Sequence, residues 1–576
     1  MTKIPIKILS LLESKKISIS LCVLMVLGLI VGGTFNLSWN DLIENSAFKA
    51  GLINYKVKTP QFYFQTRLQS IFYFIFEILF RIGLDELALA KVSSALLGGI
   101  SYFTLGFISL TIYRSYWSIP LVIIVDYFWL YDFGVNYNVA ISYSNNPQGH
   151  IGLIICLFFL VYHNFKKYKL SYCLIGLSPI FHITLGFWVN LAVLVVELYR
   201  KNYKDYKNTV VPYLIGILLT IVFYVLLSDT NLLNSLVYTA PKFTDYLKNW
   251  DLHQQYFDLS NLGLWLSLLI TFVLIRTEKR EDNDLKYYFL IFFVTATIHG
   301  FYSHLVIDYI PGVFWTLMPS RLLNFSILYL SIFILTKGIK EKGLVGSIII
   351  GMFTCLFFYV IWFGRDNVRY FKQLETFLRL VFVIDIISVF FILFKEKVRF
   401  FAIEIRKLNI IKHIALFMVL LLILFDYSKT MKMAYLTNLS ELKYYKNDRL
   451  LEKINNEGTL LLTAPSIKQF QLISRVPIIF EMDTIDDLLY NSVHIQISAK
   501  YLDDLYGINF YHPQKEFKNN IPLIDEWVKS VWESRSPEDW GILARDYQIS
   551  HIVVPSSWKL NLTVMDKNKI WNIYKI

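Results

Sequence analysis

Two carboxylates follow the first apolar segment of the chain, in Phe35-Asn-Leu-Ser-Trp-Asn-Asp-Leu-Ile-Glu-Asn45. They belong to Asp41 and Glu44. A carboxylate at the mouth of a bundle of membrane helices meets water and lipid together. There it can take the proton from a hydroxyl group that attacks a lipid-carried substrate. The simpler alternative is that each acid lies in an ordinary solvated loop and has no catalytic role. The choice between a general base and a solvated acid depends on the elements that hold this loop.

Composition identifies the class of protein. The 576 residues are 55% hydrophobic and 17% charged, with a mean hydropathy of +0.47. Soluble domains carry about 25% charged residues, so this composition predicts an integral membrane protein. The net charge of +12 is carried mainly by short loops between apolar segments. That distribution is typical of membrane topology and not of a nucleic-acid-binding surface. All 4 cysteines fall in apolar segments, which argues against a disulfide framework and against a CxxC metal site.

Apolar segments recur along the first three quarters of the chain. The first runs from Ile17 to about Phe35, long enough to cross a hydrocarbon core of ~30 Å. No clear Ala-x-Ala cleavage pattern follows it, so we expect a retained helix. With the later segments, about thirteen crossings are predicted. Those segments are 88–112, 116–132, 148–163, 170–184, 186–199, 209–228, 259–275, 287–305, 314–336, 344–363, 376–394 and 413–427.

The distribution of Lys and Arg predicts the orientation of these helices. We treat residues 68–84, which include Glu77 and Arg81, as a helix that lies in the membrane interface. With a cytoplasmic N-terminus, most basic clusters then fall on the inner side, as the positive-inside rule requires. These clusters are 166–169, 200–204, 276–280, 337–342 and 395–412. The prediction is a multi-pass protein of the plasma or inner membrane, with a first outer loop at 36–87 and an external C-terminus.

The C-terminal part changes character. After a membrane domain at 1–427, residues 428–576 alternate between short strands and helices, which predicts a small external α/β domain. The predicted strands are 459–463, 476–481, 551–555 and 570–574, and the predicted helices are 485–506, 523–533 and 542–547. We find no Gly-rich phosphate loop, zinc spacing or nucleophile elbow in this domain.

Other candidate site residues lie near the predicted outer ends of the helices. Arg321 stands several residues into an apolar run, where an arginine is costly unless it is paired or faces a wet cavity. Its structural alternatives are an ion pair with Asp126 or Asp308, or a side chain that extends outward so that its charge reaches water. For His182 and His299 the alternative is a satisfied polar group between helices. The long outer loop 229–258 adds Lys242 and His253.

This pattern resembles the GT-C superfamily of integral-membrane glycosyltransferases, which use polyprenyl-phosphate-linked sugars. The segment Asp41-Leu-Ile-Glu44…Ala50-Gly51…Pro60…Gln69-Ser-Ile-Phe-Tyr73 is similar to the first outer loop of that family, where an acid leads into an interfacial helix. Residues 541–554, Gly-Ile-Leu-Ala-Arg-Asp-Tyr-Gln-Ile-Ser-His-Ile-Val-Val, resemble the ends of many members. There, a helix ending in tyrosine precedes a buried strand.

The resemblance implies an inverting transfer of a sugar to a glycan, lipid or protein acceptor on the external face. Asp41 would be the general base, with Glu44 as its substitute or helper. Cations would stabilise the leaving lipid phosphate, Arg321 first and then Arg365 or Lys242. His182 and His253 would hydrogen-bond to sugar or phosphate oxygens. No cofactor is implied.

One departure from the family pattern concerns metal binding. Many members carry adjacent acids in the first loop, whereas two residues separate Asp41 from Glu44. This spacing argues against a divalent cation at the site.

Two other classes of function are alternatives. A transporter or flippase of lipid-linked intermediates is expected to show inverted repeats with helices broken at matching positions, and we see no such symmetry. A catalytically inactive GT-C-like protein would keep the fold as a scaffold.

Overall fold

The computed structural model describes much of the helical part of the chain and nearly all of residues 460–576. The described residues are 15–35, 41–67, 70–128, 147–165, 168–201, 204–227, 243–251, 284–305, 315–341, 345–352, 410–424, 460–468, 470–489, 492–518 and 520–576, with single residues 268, 354, 387 and 454. Within these residues the protein is mostly helical, with a small sheet near the C-terminus.

The first part of the chain is built from helices. They are α1 (Lys15–Phe35), α2 (Asp41–Lys49), α3 (Pro60–Arg67), α4 (Ile71–Arg81), α5 (Glu86–Ile112), α6 (Ser118–Phe128), α7 (Pro147–Phe165), α8 (Lys169–Phe181), α9 (Ile183–Arg200), α10 (Val210–Leu227), α11 (Phe243–Asn249), α12 (Leu285–Leu305), α13 (Leu323–Lys340) and α14 (Ile410–Leu424). A short 3-10 turn, Pro319–Leu322, precedes α13.

Four stretches in the described part of the chain are long and apolar enough to cross a membrane. They are Ile17–Thr34, Glu86–Ile112, Ile183–Arg200 and Pro319–Lys340. Shorter apolar helices, such as α8 and α10, accompany them. The predicted segments 259–275 and 376–394 lie outside the described residues except for helical Leu268 and Ile387. The higher number of crossings therefore stays a prediction.

Helices α1 and α5 are in unusually close contact. A Cβ atom built on Gly28 would lie 2.2 Å from the carbonyl oxygen of Gly98, and one on Gly32 would lie 2.0 Å from that of Ser94. The contact therefore needs small residues four apart on both helices, the pattern that lets membrane helices approach backbone to backbone.

Helices α8 and α9 form an antiparallel hairpin whose turn is His182. Asn190 of α9 donates hydrogen bonds to the carbonyl oxygen of Ile175 at 2.9 Å and to Ser178 Oγ at 3.0 Å. At the open end, Tyr172 donates to Glu197 at 3.0 Å. These bonds give partners to polar groups that water could not reach in the apolar surroundings.

The C-terminal domain is an α/β domain with a four-stranded sheet. Its strands are β1 (Leu460–Thr463), β2 (Ile549–Pro555), β3 (Val564–Lys567) and β4 (Trp571–Lys575), in the order β1-β2-β4-β3. Strand β1 is parallel to β2, and the other neighbours are antiparallel. The helices are α15 (Phe470–Ser474), α16 (Asp483–Asp486), α17 (Ile495–Tyr506), α18 (Ile521–Ser534) and α19 (Pro537–Tyr547).

Two sequence-based predictions for this domain were wrong. Residues 476–481 are not a strand: they pair with β1 through a single bridge, Leu461 with Ile478. Pro477 contributes only its carbonyl oxygen, because proline has no N–H for a ladder. The helix predicted at 485–506 is interrupted, and its regular part begins only at Ile495. Strand β3 was not predicted.

We expect Gly28→Ala to destabilise the protein by about 1–3 kcal/mol, because the added methyl group meets backbone and forces α1 away from α5. The measurement is the midpoint of thermal unfolding in one detergent. Gly351→Ala is the control, since no described atom lies within 4 Å of its Cβ position. Equal midpoints for the two variants would contradict this account of the helix contact.

Candidate functional site

The loop between α1 and α4, which contains α2 and α3, is joined to the C-terminal domain by buried hydrogen bonds around Glu44. Its carboxylate, 1% exposed, accepts from Gln65 Nε2 at 3.4 Å and from Gln471 Nε2. The Tyr55 hydroxyl donates to Gln471 Oε1. The amide of Gln471 therefore connects two residues of the loop to α15. In this structure Glu44 acts as part of the contact between the two regions.

A second set of bonds lies beside the first and contains an acid that the sequence analysis missed. Gln61 of α3 donates to Glu481 Oε2 at 3.4 Å and accepts from Thr484. All three residues are buried. No motif marks Glu481 in the sequence, because its partner is 420 positions away.

Apolar contacts and an ion pair complete the junction. Leu472 of the C-terminal domain packs in one hydrophobic cluster with Leu42 and Ile43 of α2. Arg475 lies 2.5 Å from Glu86, near the start of α5. Helix α2 therefore packs against the C-terminal domain and also against helices α4 and α5.

The surroundings of this loop change the pKa values of two side chains, Tyr55 and Lys49. Burial, together with the negative charges of Glu44 and Glu481, raises the pKa of Tyr55 well above 10.0. The phenol stays protonated and remains a hydrogen-bond donor at neutral pH. Burial lowers the pKa of Lys49, at the end of α2, to about 8, although Glu77 acts in the opposite direction.

Segments from later parts of the chain also contact the C-terminal domain. After α11, Trp250 Nε1 donates to the carbonyl oxygen of Phe510 at 2.7 Å. Trp315 and Met318, just before the 3-10 turn, pack in the same hydrophobic cluster as the core of this domain. The C-terminal domain thus covers both α2 and the segment that leads to Arg321.

Arg321 is buried in the 3-10 turn, close to the α8–α9 hairpin. Trp188 of α9 donates to the carbonyl oxygen of Leu317 at 2.7 Å, which fixes the chain before the turn. His182 interacts electrostatically with Arg321 and with His150 of α7. His182, His150 and Arg321 are therefore near enough for their charges to influence one another.

The hairpin turn also orients the His182 ring. The backbone N–H of Leu185 donates to His182 Nδ1 at 3.4 Å, so the neutral imidazole carries its proton on Nε2. A Cβ atom on Gly152 would lie 2.7 Å from that of His182. Helix α7 can approach the hairpin this closely because residue 152 is a glycine.

The acid-bearing helix and the basic cluster belong to the same end of the bundle. Ile151, next to His150, packs in the hydrophobic cluster of Leu42 and Ile43, and Phe181, next to His182, packs against that cluster. Asp41 is the first residue of α2, one turn before Glu44. Asp41, Glu44, His150 and His182 thus lie on or beside elements that pack together in one hydrophobic cluster.

The other candidate residues have different positions. Asp126 accepts a hydrogen bond from Tyr102 at 2.8 Å. His299 lies against Trp315, with ring centroids 5.2 Å apart. Lys242, His253, Arg365 and Asp308 lie outside the described residues. Among the described residues, no group of three or more His, Cys, Asp and Glu side chains is arranged to hold a metal ion.

Comparison of this chain with protein-family models, with curated proteins and with solved structures finds no match.

We expect Tyr55→Phe to loosen the junction between the loop and the C-terminal domain. The substitution leaves the buried Gln471 Oε1 without this donor, a loss of about 1–3 kcal/mol. Hydrogen exchange should increase in 470–489 and in α2. Tyr574→Phe removes a hydroxyl that bonds within the C-terminal domain and should not affect α2. Unchanged exchange in Tyr55→Phe would exclude a role for this bond in docking.

Lys49 should make stability depend on pH. Its pKa in the folded protein, about 8, lies below the ordinary 10.5. Between these values the unfolded chain binds more protons, so the free energy of unfolding rises as pH increases from 8 to 10.5. Lys49→Met should reduce the rise in thermal midpoint over this range, whereas Lys56→Met, at an exposed lysine of the same loop, should keep it. Parallel curves for all three proteins would show that Lys49 has no such effect.

Proposed function

We propose that the protein is an integral-membrane glycosyltransferase of the GT-C type. It transfers a sugar from a polyprenyl-phosphate carrier to a glycan, lipid or protein acceptor on the external face. The C-terminal domain is external in this proposal, and the membrane domain has about thirteen crossings.

One observation carries the proposal: the C-terminal domain covers both the helix that begins with Asp41 and the segment that leads to the buried Arg321. A transferase of this kind needs a base for the acceptor and cations for the leaving phosphate at the same end of the helices. The electrostatic contact of His182 with Arg321 supports a common anion-binding region.

The proposed reaction is an inverting displacement. The acceptor oxygen attacks the anomeric carbon of the donor sugar while the Asp41 carboxylate takes the hydroxyl proton. The bond between the sugar and the phosphate oxygen breaks, and its electron pair stays on the lipid phosphate. Arg321 and the Nε2–H of His182 stabilise the negative charge that develops there. The hydrogen bonds of Glu44 to Gln65 and Gln471 favour a positioning role for this acid.

The same hydrogen bonds also favour a second function. An acid used to hold two regions together is compatible with an inactive scaffold that has kept the fold without catalysis. Such a protein is expected to bind the lipid phosphate without consuming the sugar donor.

The test is loss of polyprenyl-phosphate sugar in the presence of the purified protein in nanodiscs, with several donor sugars supplied separately. Asp41→Asn should reduce kcat by about 100- to 10,000-fold, as expected when a general base is removed. Arg321→Ala should reduce turnover by about 100-fold or more, as expected when a donor to the leaving group is lost.

Two substitutions in the same loop serve as comparisons. Glu77→Gln removes a charge whose described ion pair is with Arg81, at 2.8 Å, and should leave turnover unchanged. Glu44→Gln keeps the acceptor oxygen for Gln471 and should have a much smaller effect than Asp41→Asn. Turnover that survives both Asp41→Asn and Arg321→Ala would refute the site, and donor binding without any turnover would favour the scaffold.

A further inference from the structure

Helix α2 is held on one side by residues of its own loop. Asn45 Nδ2 donates to Gln65 Oε1 of α3 at 3.2 Å, and the Ser46 hydroxyl donates to the carbonyl oxygen of Tyr73 in α4 at 3.4 Å. Asn45, Ser46 and Gln65 are all buried. The loop between α1 and α4 therefore fixes the side of α2 that carries Asn45 and Ser46.

Another contact of α2 comes from Gln471 of α15, a residue that is 0% exposed. Its Nε2 atom donates to Glu44, and its Oε1 atom accepts from the Tyr55 hydroxyl. An ionised carboxylate can only accept, so the nitrogen of the amide faces Glu44 and the oxygen faces Tyr55. The Gln471 side chain therefore has one defined orientation toward α2.

Helix α15 is itself fixed to the start of α5, one of the helices long enough to cross a membrane. Arg475, the residue after α15, pairs with Glu86 at 2.5 Å. Its backbone has φ +60°, a left-handed conformation that favours glycine. Strain of this kind persists where the surrounding contacts determine the conformation. The amide of Gln471 is therefore presented to α2 by an element that is anchored to the membrane helices.

Apolar packing alone would not orient this contact. The adjacent Leu472 packs with Leu42 and Ile43 of α2, and apolar burial is nearly independent of direction. A hydrogen bond to a charged group depends strongly on distance and angle. A buried charge also contributes little net stability compared with apolar contacts of similar volume. The bond between Gln471 and Glu44 is therefore better explained by the orientation of α2 than by stability.

We propose that Gln471 is a positioning residue for the transfer reaction and sets, through Glu44, the place of Asp41. The inference rests on the proposed function. Because α2 is a continuous helix, a shift or rotation at Glu44 also moves Asp41, about 4.5 Å away along the axis. A displacement of about 1 Å near the reacting groups can reduce the rate about 100-fold. Arg321 and His182 lie on other elements, so loss of the Gln471 bond should reduce kcat and leave donor affinity largely unchanged.

The first test compares kinetics in nanodiscs, with the polyprenyl-phosphate sugar that the wild type consumes. Gln471→Leu keeps the approximate size of the side chain and removes both hydrogen-bonding ends. It should reduce kcat by about 10- to 100-fold and change KM for the donor by less than about twofold. Gln514→Leu makes the same change at an exposed glutamine of the C-terminal domain and should keep both constants. Rates are expressed per folded molecule, so that unfolding is not counted as a loss of kcat.

The second test exchanges the amide and the carboxylate. Gln471→Glu alone places a second carboxylate beside Glu44, and the repulsion between like charges should reduce kcat by about 100-fold or more. The double variant Glu44→Gln/Gln471→Glu carries the amide on α2 and the carboxylate on α15, so the hydrogen bond can form again. It should restore kcat to within about threefold of Glu44→Gln. This pair of variants also decides the inference if Gln471→Leu does not fold.

The proposed function and the positioning role can fail separately. If the wild type consumes no donor sugar, the proposed function fails, and hydrogen exchange in Asp41–Lys49 decides whether Gln471 positions α2. Gln471→Glu should then increase this exchange about tenfold or more, and the double variant should return it to the wild-type rate. Full kcat in Gln471→Leu would overturn the inference, and so would a double variant that restores neither kcat nor exchange.

Discussion

The structure depends on a buried carboxylate that is hydrogen-bonded across two distant parts of the chain. Glu44 is nearly inaccessible to water and accepts from Gln65 and Gln471. A buried charge is costly unless its hydrogen bonds are made, and removal of a partner leaves that cost uncompensated. While the loop between α1 and α4 stays docked on the C-terminal domain, Gln65 and Gln471 must therefore keep their hydrogen bonds to Glu44, and the apolar contacts of Leu472 favour the docked state.

Because of these hydrogen bonds, the position of α2 depends on the folded C-terminal domain. The same domain packs on Trp315 and Met318, which precede the turn of Arg321. Two segments that are far apart in the sequence are thus located by one domain. In the proposed site this arrangement would preorganise the groups that the two segments carry. Local substitutions in the C-terminal domain should then affect chemistry at residues they do not touch.

Part of the fold could be predicted because it follows from local patterns. The long apolar runs became α1, α5 and α13, and strand β2 follows a helix that ends in Tyr547, as expected. The pairing of Gln61 with Glu481 could not be predicted, since both are ordinary polar residues and nothing in either neighbourhood indicates the other. The assignment of residues 476–481 to a strand was wrong because their apolar character reflects burial against β1, whereas the backbone pairs only once.

Aromatic residues also show that composition can be read from the sequence whereas the contacts of a particular residue cannot. In a membrane protein their abundance is explained by packing, and the contacts among Phe289, Phe292 and Phe325 inside the helix bundle are of this kind. The stack of Tyr63 on His494 is different, because it joins α3 to the C-terminal domain, with ring centroids 3.8 Å apart. This stack locates α3 against the C-terminal domain, and neither the composition nor the local sequence around Tyr63 indicates His494 as its partner.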